Sequence, residues 1–167
     1  STVEWSSLTP GSYCLGITLH EARTAMNPEK FGRYLHEVGL EDEPVAAHGI
    51  IDPNTIIRER YTKTAKTVLQ VGHTITTGLN RPMGLVAEIV PLKNPNTLKS
   101  GDSLELQLYL KGEPLVGQVV LVGQEQGLFG KGRGVHRTYR SDHSGRTTVS
   151  LTDSGIWWIA FNQMEKA

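Results

Sequence analysis

The pattern of apolar and polar positions divides the chain into a first part of mixed periodicity and a second part in which the segments alternate. Between Pro10 and His20, apolar residues occupy every second position, namely Tyr13, Leu15, Ile17 and Leu19. A period of two is what a half-buried β-strand requires. The first part of the chain therefore contains a predicted strand near its beginning.

The next segment changes its period and predicts a helix. Its apolar residues fall at i, i+3, i+4 and i+7, which places Phe31, Tyr34, Leu35 and Val38 on one stripe. Asn27 can accept a hydrogen bond from the first turn, Pro28 suits the first helical position, and Gly39 suits a left-handed stop. These signals predict a short helix that ends before Gly39.

A second helix is predicted after Asp52-Pro53, because this pair repeats the arrangement of a cap followed by proline. The positions that would form its apolar face are Ile57, Tyr61, Thr64, Ala65 and Val68. The apolar run from Val68 to Val71 then predicts a strand or a tight turn. On this interpretation the first part of the chain carries two short helices.

A dense group of chain-breaking residues marks the predicted boundary between two parts. Gly78, Asn80, Pro82 and Gly84 lie within seven residues. We therefore interpret residues 1–82 as the C-terminal part of a β-rich N-terminal domain with two helices, and residues 83–167 as a separate β-sandwich domain.

The second part predicts short strands separated by regular turns. Its strongest alternation runs from Leu104 to Leu110, with leucines on one face and Glu105, Gln107 and Tyr109 on a wet face. Turns are predicted at 111–114, at 142–145 and at 153–155, and strands at 116–122, at 147–151 and at 156–161. The prediction is a mainly β protein with an Ig-like or transthyretin-like sandwich at its C-terminus.

Trp157 and Trp158 are consecutive, so they point to opposite faces of the last predicted strand. Large aromatic side chains on both faces indicate a strand that is covered on both sides, or one that lies beneath an adjoining part of the protein.

Charge and cysteine content narrow the functional classes. Lysine plus arginine and aspartate plus glutamate both number 17, which argues against dedicated binding to nucleic acids or to anionic membranes. No apolar run is long enough to span a membrane. Cys14 is the single cysteine, so neither an intrachain disulfide nor a cysteine-rich zinc site is predicted.

The histidines are the candidate metal ligands, because neutral imidazole suits nickel, cobalt and zinc. His136, Asp142 and His143 could converge if their loop folds back, and they form the predicted metal site. The alternative is a hydrogen-bonded turn in which Asp142 binds backbone N–H groups. His20 and His36 are predicted to be solvated surface residues.

For three other chemistries the sequence favours a simpler interpretation. The glycine-rich stretch from Gly123 to Gly134 includes Lys131, but Gly132 stands where a phosphate-binding loop requires serine or threonine. A long connector is favoured there, with Phe129 as a contact residue if it is exposed. Cys14 in mid-strand is favoured as a small packed residue over a nucleophile. No catalytic residue is assigned, and the acidic run at 41–43 is predicted to be a solvated loop.

Several stretches resemble a bacterial family called domain of unknown function 4198. They are 29–40, Arg58–Tyr61 with Ala65-Lys66, Gly84–Pro91, Gly101-Asp102 with Gly112–Leu115, and Asp142–Trp157. The resemblance covers nearly the whole chain. It implies export to the periplasm or cell surface and an association with nickel and cobalt uptake.

The same resemblance implies features that this chain lacks. Members of the family begin with an exported leader and carry a histidine soon after the mature start, so the chain is expected to be a C-terminal fragment. Where the family has a histidine in its last strand, Gln163 precedes Met164 here. No metal ligand is therefore carried over by resemblance.

Together these observations predict an exported, periplasmic accessory or binding protein without catalytic activity. Its hypothetical cofactor is a transition-metal ion, nickel or cobalt, and its hypothetical partner is a membrane transport component or an envelope protein. One alternative is a structural or adhesive envelope module without a small ligand. Another is a transthyretin-like hydrolase, which would need His136, Arg137, Arg140 and His143 to cluster.

Overall fold

The computed structural model describes residues 8–40, 52–125 and 133–164, with the backbone alone at residues 133–136. These residues form one α-helix and eleven strands, which confirms the mainly β prediction. The elements are β1 Gly11–Thr18, β2 Ala22–Met26, α1 Pro28–Glu37, β3 Ile57–Tyr61, β4 Thr64–Val71, β5 Ala87–Pro91, β6 Ser103–Leu110, β7 Glu113–Pro114, β8 Val119–Glu125, β9 Arg133–Arg140, β10 Arg146–Ser150 and β11 Trp157–Ala160.

The predicted first helix is confirmed together with both of its caps. The Asn27 side chain accepts a hydrogen bond from the Lys30 N–H at 2.9 Å, and Pro28 opens the helix. At the other end Gly39 has a φ of 71°, and the Leu40 N–H donates to the Leu35 carbonyl at 2.8 Å. This is the left-handed glycine stop, whose flanking leucines are both buried and pack in one cluster.

The predicted second helix is wrong, because the residues assigned to it form β3 and β4. Asp52 caps only a turn, in which its carboxylate accepts from the Asn54 N–H at 2.9 Å. Exposure from Ile57 to Tyr61 alternates with a period of two, as in a strand. The β-branched residues of β4 also favour extended backbone, and pairing with β1 outweighs the local cap signal.

The first four strands form a long two-stranded ribbon. β1 pairs with β4 and β2 pairs with β3, both antiparallel. Thr18 faces Thr64 and Ala22 faces Tyr61, so three residues of one strand oppose two of the other. Such a bulge bends the ribbon and increases its twist.

The ribbon packs through the less apolar side of β1. On its inner side Gly16 approaches the side chains of Met83 and Leu85, and a Cβ there would lie 3.1 Å from Met83 Cε. On its outward side Ile17 is 46% exposed and Leu69, opposite Tyr13, is 41% exposed. The predicted strand is confirmed, and its apolar positions lie on the face that looks away from the rest of the protein.

The remaining strands form two antiparallel sheets that share one apolar core, called here the two-sheet core. One sheet has the order β10-β6-β5 with β7 beside β6, and the other has the order β11-β8-β9. The fully buried side chains between them come from β6, β8 and β10 and include Leu106, Leu108, Val120, Val122 and Val149. Leu104, Leu106 and Leu108 of β6 are therefore core residues, as predicted, whereas Leu110 at the strand end is only half-buried.

The opposite face of β6 is only partly wet. Gln107 is buried; its side-chain Nε2 donates to the Ser144 backbone carbonyl at 2.8 Å, and its side-chain Oε1 accepts from Arg146 Nε at 3.0 Å. The predicted wet face thus has a polar residue covered by the following turn. Glu105, which precedes it on this face, keeps a partly exposed side chain.

Trp157 and Trp158 are both half-buried in β11, and the predicted coverage of both faces stays a prediction. Trp157 packs against the two-sheet core. Trp158 lies against Gly123 of β8, where an added Cβ would overlap the indole ring. Glycine is required at this position because any side chain would collide with the indole.

Contacts cross the predicted boundary near residue 82. The loop after α1 meets β8, since a Cβ on Gly39 would lie 2.9 Å from Val119. The apolar cluster of Phe31, Leu35 and Leu40, called here the helix cluster, also includes Met164. In addition, the Ser12 hydroxyl accepts a hydrogen bond from the Asn94 side-chain amide at 2.8 Å. The division at 82/83 and the Ig-like or transthyretin-like topology both stay predictions, but the two parts are in contact.

Candidate functional site

A buried ion pair joins the ribbon to the two-sheet core. Lys66 of β4 donates from Nζ to Oε1 of Glu88 in β5 at 2.6 Å. The side chains are 9% and 1% exposed, respectively. A buried pair of this kind needs further hydrogen bonds to offset its desolvation.

The residues before β5 supply those hydrogen bonds. Consecutive backbone N–H groups of Met83, Gly84 and Leu85 donate to the Glu88 carboxylate at 2.8 to 3.2 Å. Burial alone would raise the pKa of Glu88, but the Lys66 and backbone donors outweigh it and hold the pKa below its usual value. The carboxylate is therefore ionised, and its hydrogen bonds hold the segment Met83–Leu85 in place. This is a structural role.

Cys14 lies on the inner side of β1, near this pair. Burial raises the pKa of its thiol, with a smaller opposing effect from Lys66 and a supporting one from Glu88. A nucleophilic cysteine needs a depressed pKa. The structure thus favours the predicted packed residue over a catalytic one.

Asp142 forms the predicted turn. Its Oδ1 accepts from the Ser144 N–H at 2.8 Å, the Ser144 hydroxyl at 2.7 Å and the Arg146 N–H at 2.9 Å. The Arg146 N–H bond, followed by the two from Ser144, lowers the pKa of Asp142 to about 2. The alternative of a hydrogen-bonded turn is thereby confirmed, and the carboxylate is ionised at neutral pH.

The two predicted histidine ligands lie in different elements, one in the turn between β9 and β10 and the other within β9. His143 lies in the Asp142 turn, whereas His136 lies in β9, opposite Gly123 of β8. Four residues of strand, or ~13 Å, separate His136 from Arg140 at the strand end. Among residues whose side chains are described, no group of three His, Cys, Asp or Glu could hold a metal. The site that includes His136 stays a prediction.

The remaining candidates divide into surface residues and residues outside the described ranges. His20, His36 and His73 are exposed, which confirms the surface assignment of the first two. Arg140 donates to the Gly117 carbonyl, so its guanidinium is engaged by a neighbouring loop. The predictions for the acidic run 41–43, Phe129 and Lys131 lie outside the described residues, as does the further histidine His48.

The outward side of the ribbon is the surface on which apolar and basic side chains gather. The β1–β4 half presents Ile17 and Leu69, and Leu19 in the bend is 53% exposed. The β2–β3 half presents Arg23, Arg58 and Arg60, all exposed. We call these six residues the outward face.

Sequence reasoning missed both the buried pair and the outward arginines. Glu88 interrupts the apolar stretch Leu85–Pro91, and that interruption was the available signal of a buried charge. In the run Ile57–Tyr61 the two arginines alternate with Ile57, Glu59 and Tyr61, and a strand would place these two sets on opposite faces. The helical interpretation concealed this pattern.

The architecture defines a mainly β protein built from several antiparallel sheets. The chain belongs to the family described as "Domain of unknown function (DUF4198)", whose profile matches residues 2–165. No curated protein and no solved structure matches the chain. The predicted family is thus confirmed, while its association with nickel and cobalt uptake stays a prediction.

Within the described ranges, no helix has the length and apolar character needed to cross a membrane.

Proposed function

We propose that this protein is a binding module of an extracytoplasmic accessory system, and that the outward face of the ribbon is its binding surface. The observation that carries the proposal is the exposure of aliphatic side chains there, with Ile17, Leu19 and Leu69 each 41 to 53% exposed. Single exposed apolar residues are ordinary, but an alternating series along one ribbon is typical of a contact surface.

The buried polar groups support a binding role over a catalytic one. Lys66 and Glu88 form an ion pair, and Glu88 also accepts the hydrogen bonds of the Met83–Leu85 segment. The Tyr34 hydroxyl donates to Glu59 at 3.2 Å. These groups stabilise the fold through internal bonds. The aliphatic side chains of the outward face, in contrast, would each contribute about 1 kcal/mol when a partner completes their burial.

Site-specific photo-crosslinking in the native host tests this surface. A photoreactive residue at position 17 or 69 is expected to give adducts, because those positions face the partner. The matched controls are positions 116 and 156, which carry Val116 and Ile156 with 58% and 64% exposure outside the ribbon. Equal adducts at all four positions, or none at 17 and 69, would contradict the proposal.

Export is the second part of this proposal, and it rests on the resemblance to exported members of the family. Osmotic-shock fractionation of the host is expected to release the protein with periplasmic markers. Recovery with cytoplasmic markers would contradict the location while leaving the binding surface to be judged by crosslinking.

A further inference from the structure

Three arginines lie together on the β2–β3 half of the outward face. Arg23 and Arg60 are direct cross-strand partners, and Arg58 faces Ala25 two residues further along. Side chains of directly opposed residues have Cβ atoms about 5 Å apart. The three guanidinium groups therefore project from one small area of the ribbon.

This arrangement works against the stability of the ribbon. Like charges directly opposite each other in a sheet are destabilising. Within the described residues, the ion pair formed by this group joins Arg23 Nε to Glu21 Oε1 at 3.5 Å, and both of those side chains are well exposed. Arg58 and Arg60 form no ion pair with a described residue. An external anion would relieve the repulsion between the directly opposed Arg23 and Arg60.

The inner side of the same strands is chemically different. Met26 and Ile57 pack against the helix cluster, and Glu59 accepts a hydrogen bond from Tyr34. The strand alternation therefore separates apolar and acidic groups on the inner side from basic groups on the outer side. A formal charge of zero for the whole chain conceals this local separation.

The basic half continues into the apolar half of the outward face through the bend. The Leu19 N–H donates to the Lys63 carbonyl at 2.8 Å within the bulge. Leu19 is exposed at this junction, between Ile17 on one side and Arg23 on the other. Aliphatic side chains and guanidinium groups thus follow one another along a single surface.

We propose that the outward face is a contact surface for an anionic lipid bilayer. The arginines bind lipid phosphates, for which the planar guanidinium fork is suited. The aliphatic side chains reach the boundary between headgroups and acyl chains. This inference rests on the proposed function, since it names the partner of the same binding surface.

A bilayer fits these residues better than nucleic acid does. Single-stranded nucleic acid is held by aromatic side chains that stack on bases, whereas the exposed apolar residues here are aliphatic. Stable membrane association needs two signals, and a basic patch beside aliphatic side chains supplies both. Binding by three arginines must weaken with salt, because the screening length falls as ionic strength rises.

Sedimentation with lipid vesicles tests the proposal on the whole chain. Vesicles of 30% phosphatidylglycerol in phosphatidylcholine are compared with pure phosphatidylcholine at low and high salt. Binding is expected to the anionic vesicles at low salt. The triple variant Arg23→Gln/Arg58→Gln/Arg60→Gln is expected to weaken binding on the order of 100-fold, at about fivefold per arginine.

A matched control removes the same charge elsewhere. Lys93, Lys99 and Arg137 are exposed and lie outside the ribbon, so Lys93→Gln/Lys99→Gln/Arg137→Gln changes the net charge equally. It is expected to retain binding within a fewfold. Thermal unfolding checks that the ribbon variant folds, and its midpoint should stay constant or rise because like-charge repulsion is removed.

Three results would overturn the inference. They are equal losses in both triple variants, equal binding to neutral and anionic vesicles, and binding to immobilised poly-glutamate without binding to vesicles. The last result would indicate an acidic protein partner. If vesicle binding is absent while crosslinking at position 17 persists, the bilayer is excluded and the proposed function stands; loss of both refutes both.

Discussion

The ribbon and the two-sheet core both contain strands in which apolar and polar residues alternate, but their apolar faces point in opposite directions, one away from the protein and one into the core. In β6 the alternating leucines point into the core, and Leu108 is fully buried. In β1 the alternating apolar residues point away from the protein. The inner side carries Cys14 and Gly16, and Gly16 is paired with Lys66 of β4. Alternation thus predicts a strand in both regions but does not identify which face packs.

Removing the buried carboxylate is expected to have the largest effect, because it supports the contact between the two regions. Glu88→Leu would leave Lys66 buried without its partner and the Met83–Leu85 N–H groups without their acceptor. We expect a loss of about 3–5 kcal/mol in the free energy of unfolding, measured by chemical denaturation. The control Glu105→Leu removes a 43% exposed carboxylate and should cost less than about 1 kcal/mol.

Truncating one leucine in each region tests the comparison directly. Leu108→Ala should lower the free energy of unfolding by about 2–5 kcal/mol, because it opens a cavity in the two-sheet core. Leu69→Ala on the outward face should change it by less than about 1 kcal/mol. Similar losses in the two variants would show that the outward face is packed within the protein.

Adding a methyl group separates the two regions on a smaller scale. Gly123→Ala would force the Trp158 ring to move and should cost about 1–3 kcal/mol. Gly16→Ala meets the flexible end of the Met83 side chain at 3.1 Å, so its cost should be well under 1 kcal/mol. The difference in thermal midpoint between these two variants measures how rigidly each region is packed.

The smallest expected effect at neutral pH concerns Tyr34, which links α1 to the ribbon. Burial first, and then Glu59, raises the pKa of Tyr34 to about 12. The folded state therefore retains this proton above pH 10 while the unfolded state loses it. The stability that Tyr34 contributes is present below pH 10 and declines between about pH 10 and 12. Tyr34→Phe should cost about 1 kcal/mol at pH 7 and flatten this alkaline decline, as measured by denaturation across pH.

Local signals predicted the parts of the fold that local interactions determine. The cap at Asn27, the stop at Gly39 and the turn at Asp142 each depend on residues within a few positions, and all three are confirmed. The second helix was predicted wrongly because the Asp52-Pro53 signal is local, whereas β3 and β4 are determined by pairing with β2 and β1. Sequence reasoning had no access to those distant partners.

The candidate surface could not be predicted for the same reason. Arg23 and Arg60 are 37 positions apart in the numbering, and only the register of β2 on β3 places them opposite each other. Glu88 and Lys66 are likewise brought together by packing between different strands. The resemblance to the family was confirmed from sequence, but the family description assigns no function.

The way in which the ribbon is attached has a consequence for hydrogen exchange. Among the described strands, none of β1–β4 is paired with a strand of the two-sheet core. Attachment depends on side chains, chiefly the Lys66–Glu88 pair, so detaching the ribbon breaks no backbone ladder between the two regions. The amides of β1–β4 should therefore exchange together, as one cooperative unit, before those of β6 and β8.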